Sequence, residues 1–341
     1  MTATSPVLRL GTRASALART QSGMMADLIS ARTGRTVELV LVSTEGDVNG
    51  APLHSLGGAG VFVSALRDAL LAGDVDIAVH SLKDLPTAPA DGIALAAVPP
   101  REDPRDAIIA RDGLTLGELP PGSKVGTGSP RRVAQLEALG LGIELVGIRG
   151  NVDTRIGKVR SGELDAVVLA RAGLVRLGRA DEVTEILDPI QVLPAPGQGA
   201  LAIECRSGDV DLVALLAEAL DDPHTRAAVA CERTVLAELE AGCSAPVGAL
   251  ADVVEGEHGE ELWIRAVASS LDGALAVRRS ASGPYDDAVG LGRKLAAEMI
   301  ADGAHTLLAP TQPTQNQPDP TDSTPVADHQ PAFRGNHTSG T

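Results

Sequence analysis

Short apolar runs alternate with amphipathic stretches through the first two thirds of the chain. V-E-L-V-L-V (37–42) and D-I-A-V (76–79) read as buried strands, and F-V-S-A-L-R-D-A-L-L (62–71) reads as an amphipathic helix between them. The pattern repeats in D-A-I-I-A (106–110), K-V-G-T (124–127), I-E-L-V-G-I (143–148) and D-A-V-V-L-A (165–170), each followed by a helical segment. Such alternation predicts mostly parallel sheets covered by helices. Two proline-rich breaks, V-P-P-R-E-D-P-R (98–105) and V-L-P-A-P-G-Q-G (192–199), flank the second unit and are expected to cross between lobes. A-L-A-I-E-C (200–205) then returns to the first sheet as a strand. A double crossing leaves a cleft in which loops at strand carboxyl ends converge.

The last third changes character. Asp222 and Pro223 form an N-cap and first-turn pair, opening a helix expected to run to about Ala241 with Gly242 as its stop. Strand-like runs follow at 246–254, 262–270 and 275–281, then a helix over 285–302. The expected architecture is two α/β lobes joined by a double crossover, plus a small α+β C-terminal domain. Its boundaries are 1–99 with 197–220 for the first lobe, 100–196 for the second and 221–309 for the third domain. Residues 310–341 are rich in Thr, Pro, Gln, Asn and Asp and are expected to be a disordered tail.

Composition narrows the function. The 44% apolar content supports real cores, but Trp263, Tyr285, Phe62 and Phe333 are the only aromatics, which disfavours base stacking. A net charge of −16 argues against nucleic acid and anionic membranes as partners. The start lacks an apolar signal-peptide core and no 18-residue apolar run occurs, so the expectation is a soluble cytoplasmic protein. Seven histidines without paired spacing predict no metal site, and no G-x-S-x-G elbow is present. Of 29 basic residues only Lys83, Lys124, Lys158 and Lys294 are lysines.

Three clusters carry candidate chemistry. V-H-S-L-K-D-L-P (79–86) follows a strand, so His80, Ser81, Lys83 and Asp84 are placed to enter a cleft, or to close an ordinary turn before Pro86. In K-V-G-T-G-S-P-R-R-V-A-Q-L (124–136) a strand runs through Thr127 and Ser129 into a helix opened by Pro130, with Arg131 and Arg132 beside it. Free backbone N–H groups and two guanidiniums make either an anion site there or a capped helix with solvated arginines. G-I-R-G-N-V-D-T-R-I (147–156) adds Arg149 and Arg155, and Arg13 lies near the start. The physics predicts a polyanionic ligand, carboxylate or phosphate alike.

Cysteine usage adds one more candidate. Cys205 and Cys231 lie in apolar or helical stretches where a thiol packs as a small hydrophobe, while Cys243 falls on a loop in L-E-A-G-C-S-A-P-V-G (239–248). Its place after a helix C-terminus does not favour thiolate, which weighs against a thiol-dependent transferase. A non-catalytic two-lobed anion-binding protein is the other alternative.

Seven stretches in order carry a resemblance over roughly residues 7–308: G-T-R-A-S near the start, D-I-A-V-H-S-L-K-D-L-P (76–86), R-E-D-P-R-D-A (101–107), V-G-T-G-S-P-R-R (125–132), L-V-G-I-R-G-N-V-D-T-R (145–155), L-P-A-P-G-Q-G-A-L-A-I-E-C (193–205) and G-C-S-A-P-V-G (242–248). Together they resemble the porphobilinogen deaminase (hydroxymethylbilane synthase) family of tetrapyrrole biosynthesis. The resemblance implies periplasmic-binding-protein-like lobes and a transferase, usually monomeric, that joins four porphobilinogen molecules head to tail with loss of ammonia. It implies that Cys243 tethers a dipyrromethane cofactor through a thioether and that Asp84 is the catalytic residue. Ser81, Lys83, Thr127, Ser129, Arg131, Arg132 and Arg155 are implied to bind the cofactor; Arg13, Arg149 and Gln198 are implied to bind substrate. One departure is Ala59, in G-G-A-G, where many members carry a loop lysine.

Overall fold

The computed structural model describes residues 7–42, 60–242, 245–256 and 259–308. Cys243, the glycine loop containing Ala59 and the tail from 310 lie outside the described residues.

The first sheet has the order β2-β1-β3-β10-β4, from β1 (Leu8–Thr12), β2 (Val37–Leu41), β3 (Ile77–Ser81), β4 (Ile93–Ala97) and β10 (Leu201–Arg206). Helices α1 (Ala16–Thr33) and α6 (Val210–Leu220) pack Met25, Ile29, Leu212 and Leu216 against Ile77 and Val79, while α2 (Gly60–Ala72) packs Leu66 and Leu70 with Ala78. Neighbouring residues of β3 thus serve opposite faces, the period of two that a doubly covered strand requires.

The second sheet runs β7-β6-β8-β5-β9: β5 (Asp106–Ala110), β6 (Lys124–Gly126), β7 (Glu144–Val146), β8 (Ala166–Ala170) and β9 (Glu185–Ile186). It is flanked by α3 (Pro130–Glu137), α4 (Val152–Arg160) and α5 (Arg171–Arg176). The third sheet, β11 (Val247–Gly256), β12 (Gly259–Ser269) and β13 (Ala276–Pro284), packs against α7 (Pro223–Glu238), α8 (Ala288–Ala301) and α9 (Ala304–Leu308) around Cys231, Val235, Ile264 and Leu295.

The first two sheets are mixed rather than mostly parallel. β1, β2 and β3 are parallel, as are β6, β7 and β8, but β10 and β5 run against their neighbours. Each arrives from the other lobe, so it enters at the carboxyl edge and can only run back. That reversal matters for function: Asp106 opens β5 opposite Ala170, and Gln198 precedes β10, which pairs Leu201 with Ser81. The starts of the crossing strands meet the ends of the parallel ones.

Helix α7 ends earlier than the glycine signal predicts. Leu239 is its C-cap and Glu240 takes the left-handed turn at φ 51°, before Gly242 is reached. At its other end the Asp222 side chain accepts from Thr225 N, as expected of that cap. In the middle of α7 the fully buried Glu232 gathers three parts of the chain. Its carboxylate accepts from Arg101 at 2.6 and 3.0 Å, from Gly197 N at 2.6 Å and from Ala251 N at 2.8 Å. Both crossings and the third sheet are tied to one side chain. Gly199 lies where the crossings touch; at φ +89°, its β-carbon would sit 2.3 Å from the Glu102 carbonyl, so only glycine fits. Among the described residues no helix is long and apolar enough to cross a membrane.

Candidate active site

The parallel strands deliver two groups of side chains at two carboxyl edges. From the first sheet come Arg13 after β1 and Ser81, Lys83 and Asp84 at the end of β3; from the second come Thr127 and Ser129 after β6 and Arg149 after β7. Leu82–Asp84 form a short 3-10 turn, closed by Leu85 N donating to Leu82 O at 3.1 Å and anchored by Leu82 N donating to Ala200 O at 3.0 Å. Leu82 and Leu85 are buried, which leaves Lys83 half-buried and Asp84 exposed.

One residue not singled out for a role in the sequence holds the centre. Asp106 is fully buried; its Oδ2 lies 2.8 Å from Arg131 and its Oδ1 lies 2.7 Å from Arg132. Burial acts to raise this carboxyl, but the fields of Arg131 and Arg132 outweigh it and hold Asp106 well below the usual carboxylate range. Arg131 also donates to Leu193 O, and Arg132 donates to Val168 O at 2.9 Å. The signal was the aspartate in R-E-D-P-R-D-A, which reads as strand onset rather than as a counter-ion.

Gln198 links this centre to the first lobe. It is 1% exposed; its Nε2 donates to Asp106 at 2.8 Å and to Pro104 O at 2.7 Å, and its Oε1 accepts from Lys83 at 3.3 Å. Both amide protons are used within the protein. Burial pushes the Lys83 ammonium down to about 8, with Asp84 opposing that fall. The resulting chain, Lys83–Gln198–Asp106–Arg131 and Arg132, joins residues 115 positions apart.

The other candidates arrange around it. Buried Thr127 accepts from Ser129 N at 3.3 Å through Oγ1, and Ser129 stands at the N-terminus of α3. Gly128 lets this loop pass Ile148, whose carbonyl would be 2.6 Å from any β-carbon at 128. Arg155 donates to Gly150 O at 2.8 Å; burial first, then the charge of Arg132, lowers its pKa. Ser81 Oγ accepts from Gln21 at 3.3 Å, Arg13 is half-buried and Arg149 is exposed. Sequence reasoning also passed over Arg176, half-buried on α5 and donating to Gly199 O at 2.6 Å beside Gln198. His80 does not join the cluster. Buried on β3, it lies 3.3 Å from Glu204, which Arg67 of α2 grips at 2.6 and 2.9 Å. Burial alone would raise Glu204, but Arg67 and then His80 hold it near 2.

Four cations, Lys83, Arg131, Arg132 and Arg155, therefore share a region with two carboxylates, Asp84 and Asp106. The buried Nε atoms of Arg131 and Arg132 have no hydrogen-bond partner among the described residues. Both facts fit a ligand that brings carboxylates of its own. Cys205 and Cys231 are fully buried, and burial pushes their thiols up to about 11 and about 12. Neither is a reactive sulfur.

Comparison with known proteins agrees with this chemistry. Residues 8–214 match the family model described as "Porphobilinogen deaminase, dipyromethane cofactor binding domain", and 226–301 match "Porphobilinogen deaminase, C-terminal domain". Porphobilinogen deaminase 1 of Streptomyces avermitilis is 62% identical over 315 residues, covering 88% of this chain and 97% of that protein. The porphobilinogen deaminase of Nocardia farcinica is 58% identical over 318 residues, 92% of this chain and 91% of that one. Among solved structures, the Methionine Binding Protein, MetQ, matches with a TM-score of 0.41 at 14% identity over 62% of this chain and 89% of that one. The two family models together span the lobes and the third domain, and with relatives this similar over nearly their whole length the chain belongs to the porphobilinogen deaminase family of transferases.

Proposed function

We propose that this protein is a hydroxymethylbilane synthase, condensing four porphobilinogen molecules with loss of ammonia into a linear tetrapyrrole. The observation that carries the reading is the excess of cations, Lys83, Arg131, Arg132 and Arg155, around Asp106 at the junction of the crossings. Porphobilinogen carries acetate and propionate groups, and guanidiniums meet carboxylates in bidentate geometry.

A dipyrromethane, joined to Cys243 by a thioether, would supply the primer on which the product is built. Arg131, Arg132, Arg155, Lys83, Thr127 and Ser129 are the residues that hold its acid groups, with Ser81 at the end of β3 as a further donor. The exclusion of Cys205 and Cys231 by burial supports Cys243 as the tether. Arg13 and Arg149, at the carboxyl edges of the two sheets, receive the carboxylates of incoming substrate. Gln198, implied by resemblance to bind substrate, is assigned a bridging role here because its amide is already engaged.

Asp84 performs the proton transfers. It gives a proton as the C–N bond to the departing amine breaks, then takes the α-proton of the pyrrole carbon at which the new C–C bond has formed. Between the two events its carboxylate faces the cation developing on the substrate ring and stabilises it.

The lobes are taken as 1–99 with 197–220 and 100–196, and the third domain as 221–309; the three separate sheets support that division. The acidic charge supports action without nucleic acid, and the family, where monomers are usual, supports a cytoplasmic monomer. The test is steady-state consumption of porphobilinogen by wild type and Asp84→Ala. Wild type turns over and Asp84→Ala is nearly inactive while keeping its cofactor; a fully active Asp84→Ala contradicts the assignment.

A further inference from the structure

The turn that carries Lys83 and Asp84 is gripped from the third domain. On α7, Val229 packs with Leu82 and Leu85 in one buried cluster. One helical turn later Arg233 donates Nη1 to Leu82 O at 3.2 Å and to Leu85 O at 3.0 Å, and Nη2 to Pro86 O at 2.6 Å. Beside these bonds a cavity of about 420 Å3 is lined by Leu82, Leu85, Pro86, Val229, Arg233 and Arg293.

We propose that Arg233 is a positioning residue for Asp84, a role that rests on the reading of Asp84 as the proton-transfer group. The turn itself is held by the packing of Leu82 and Leu85 and by backbone bonds at its two ends. Its backbone donors reach Ala200 O and Leu82 O, and Pro86 has no N–H to offer. The Asp84 side chain is exposed, so its place is set by its backbone. A guanidinium can serve three carbonyls at once because its donors form a rigid fork. Its base is rigid as well: the preceding residue, Glu232, binds both crossings and β11. The third domain therefore fixes the height of the catalytic carboxylate over the cleft, through backbone carbonyls and without touching substrate.

The experiment compares wild type, Arg233→Ala, Arg233→Lys and Asp84→Ala as cofactor-bearing proteins, with Arg293→Ala as control. Arg293 lines the same cavity but pairs at the surface with Glu238. Arg233→Ala is expected to lower kcat by about 10- to 100-fold, the scale for a displaced catalytic group. KM and the intact mass of the cofactor-bearing protein should stay near wild type, and Arg293→Ala should behave as wild type. Methylguanidinium, entering through the cavity, should restore part of the lost kcat where sodium chloride and urea do not. Arg233→Lys should lie between the two. Wild-type kcat in Arg233→Ala, or a loss confined to KM, overturns the proposal. If Arg233→Ala does not accumulate folded, Arg233→Lys decides: reduced kcat at unchanged KM supports the clamp, and wild-type kcat overturns it. An active Asp84→Ala would instead overturn the reading of Asp84, whereas an inactive Asp84→Ala beside a fully active Arg233→Ala would remove only the clamp.

Discussion

Asp106 and Arg132 form an ion pair at 2.7 Å in which the carboxylate has no exposure and the guanidinium side chain only 6%. Arg131 shares the same carboxylate. Removing one partner of such a pair leaves uncompensated buried charge, which costs on the order of 3–5 kcal/mol. Asp106→Ala is therefore expected to unfold at markedly lower urea concentration than wild type. Because the folded pKa of Asp106 is depressed, its contribution is complete above the ordinary carboxylate range and is lost only as pH falls through the folded value. A midpoint unchanged at neutral pH would show that the pair carries no net stability.

Glu232 provides a second buried carboxylate, with no exposed surface and four donors around it. Glu232→Ala strands Arg101 and two backbone N–H groups, and a loss on the order of 3–5 kcal/mol is expected. Glu238→Ala, which removes an exposed partner of Arg293 six positions along the same helix, should cost no more than about 1 kcal/mol. Urea denaturation of the two variants side by side measures the contrast. Equal losses would contradict the three-way junction.

Lys83 should report burial through pH. Its ammonium is pushed down from 10.5 to about 8. Between those values the unfolded chain holds a proton that the folded protein does not, so this group makes stability rise with pH across that window. In a Cys243→Ser background, wild-type Lys83 relative to Lys83→Met should gain on the order of 2 kcal/mol from about pH 7.5 to 10. A flat difference between the two urea series would contradict a desolvated ammonium.

Much of this architecture was legible in the sequence, for identifiable reasons. Stretches such as 107–110 and 166–170 are continuous apolar runs because both faces are covered. The proline-rich breaks announced the crossings, but the direction of the crossing strands did not show, since a hydrophobic pattern reads the same in either sense. The candidate site residues stood out by residue type at strand ends. Asp106 and Gln198 were harder. Their roles come from contacts across the crossings, with Asp106 and Gln198 themselves 92 positions apart in sequence, and local spacing carries no trace of such pairing. His80 misled because residue alternation on β3 turned it toward Arg67 and Glu204 while Ser81 reached Gln21 on α1. Arg233 was hidden for the same reason as Asp106: its partners are carbonyls of residues 147 to 151 positions away.

The central claim is that this enzyme works from a primer tethered to Cys243, held by the cations around Asp106 and served by Asp84. Intact-mass measurement of the purified wild-type protein beside Cys243→Ser tests it most directly. The account predicts a covalent adduct of two pyrrole rings on wild type, absent from Cys243→Ser, with turnover of porphobilinogen only where the adduct is present. A fully active wild-type protein whose mass is that of the bare chain would contradict it.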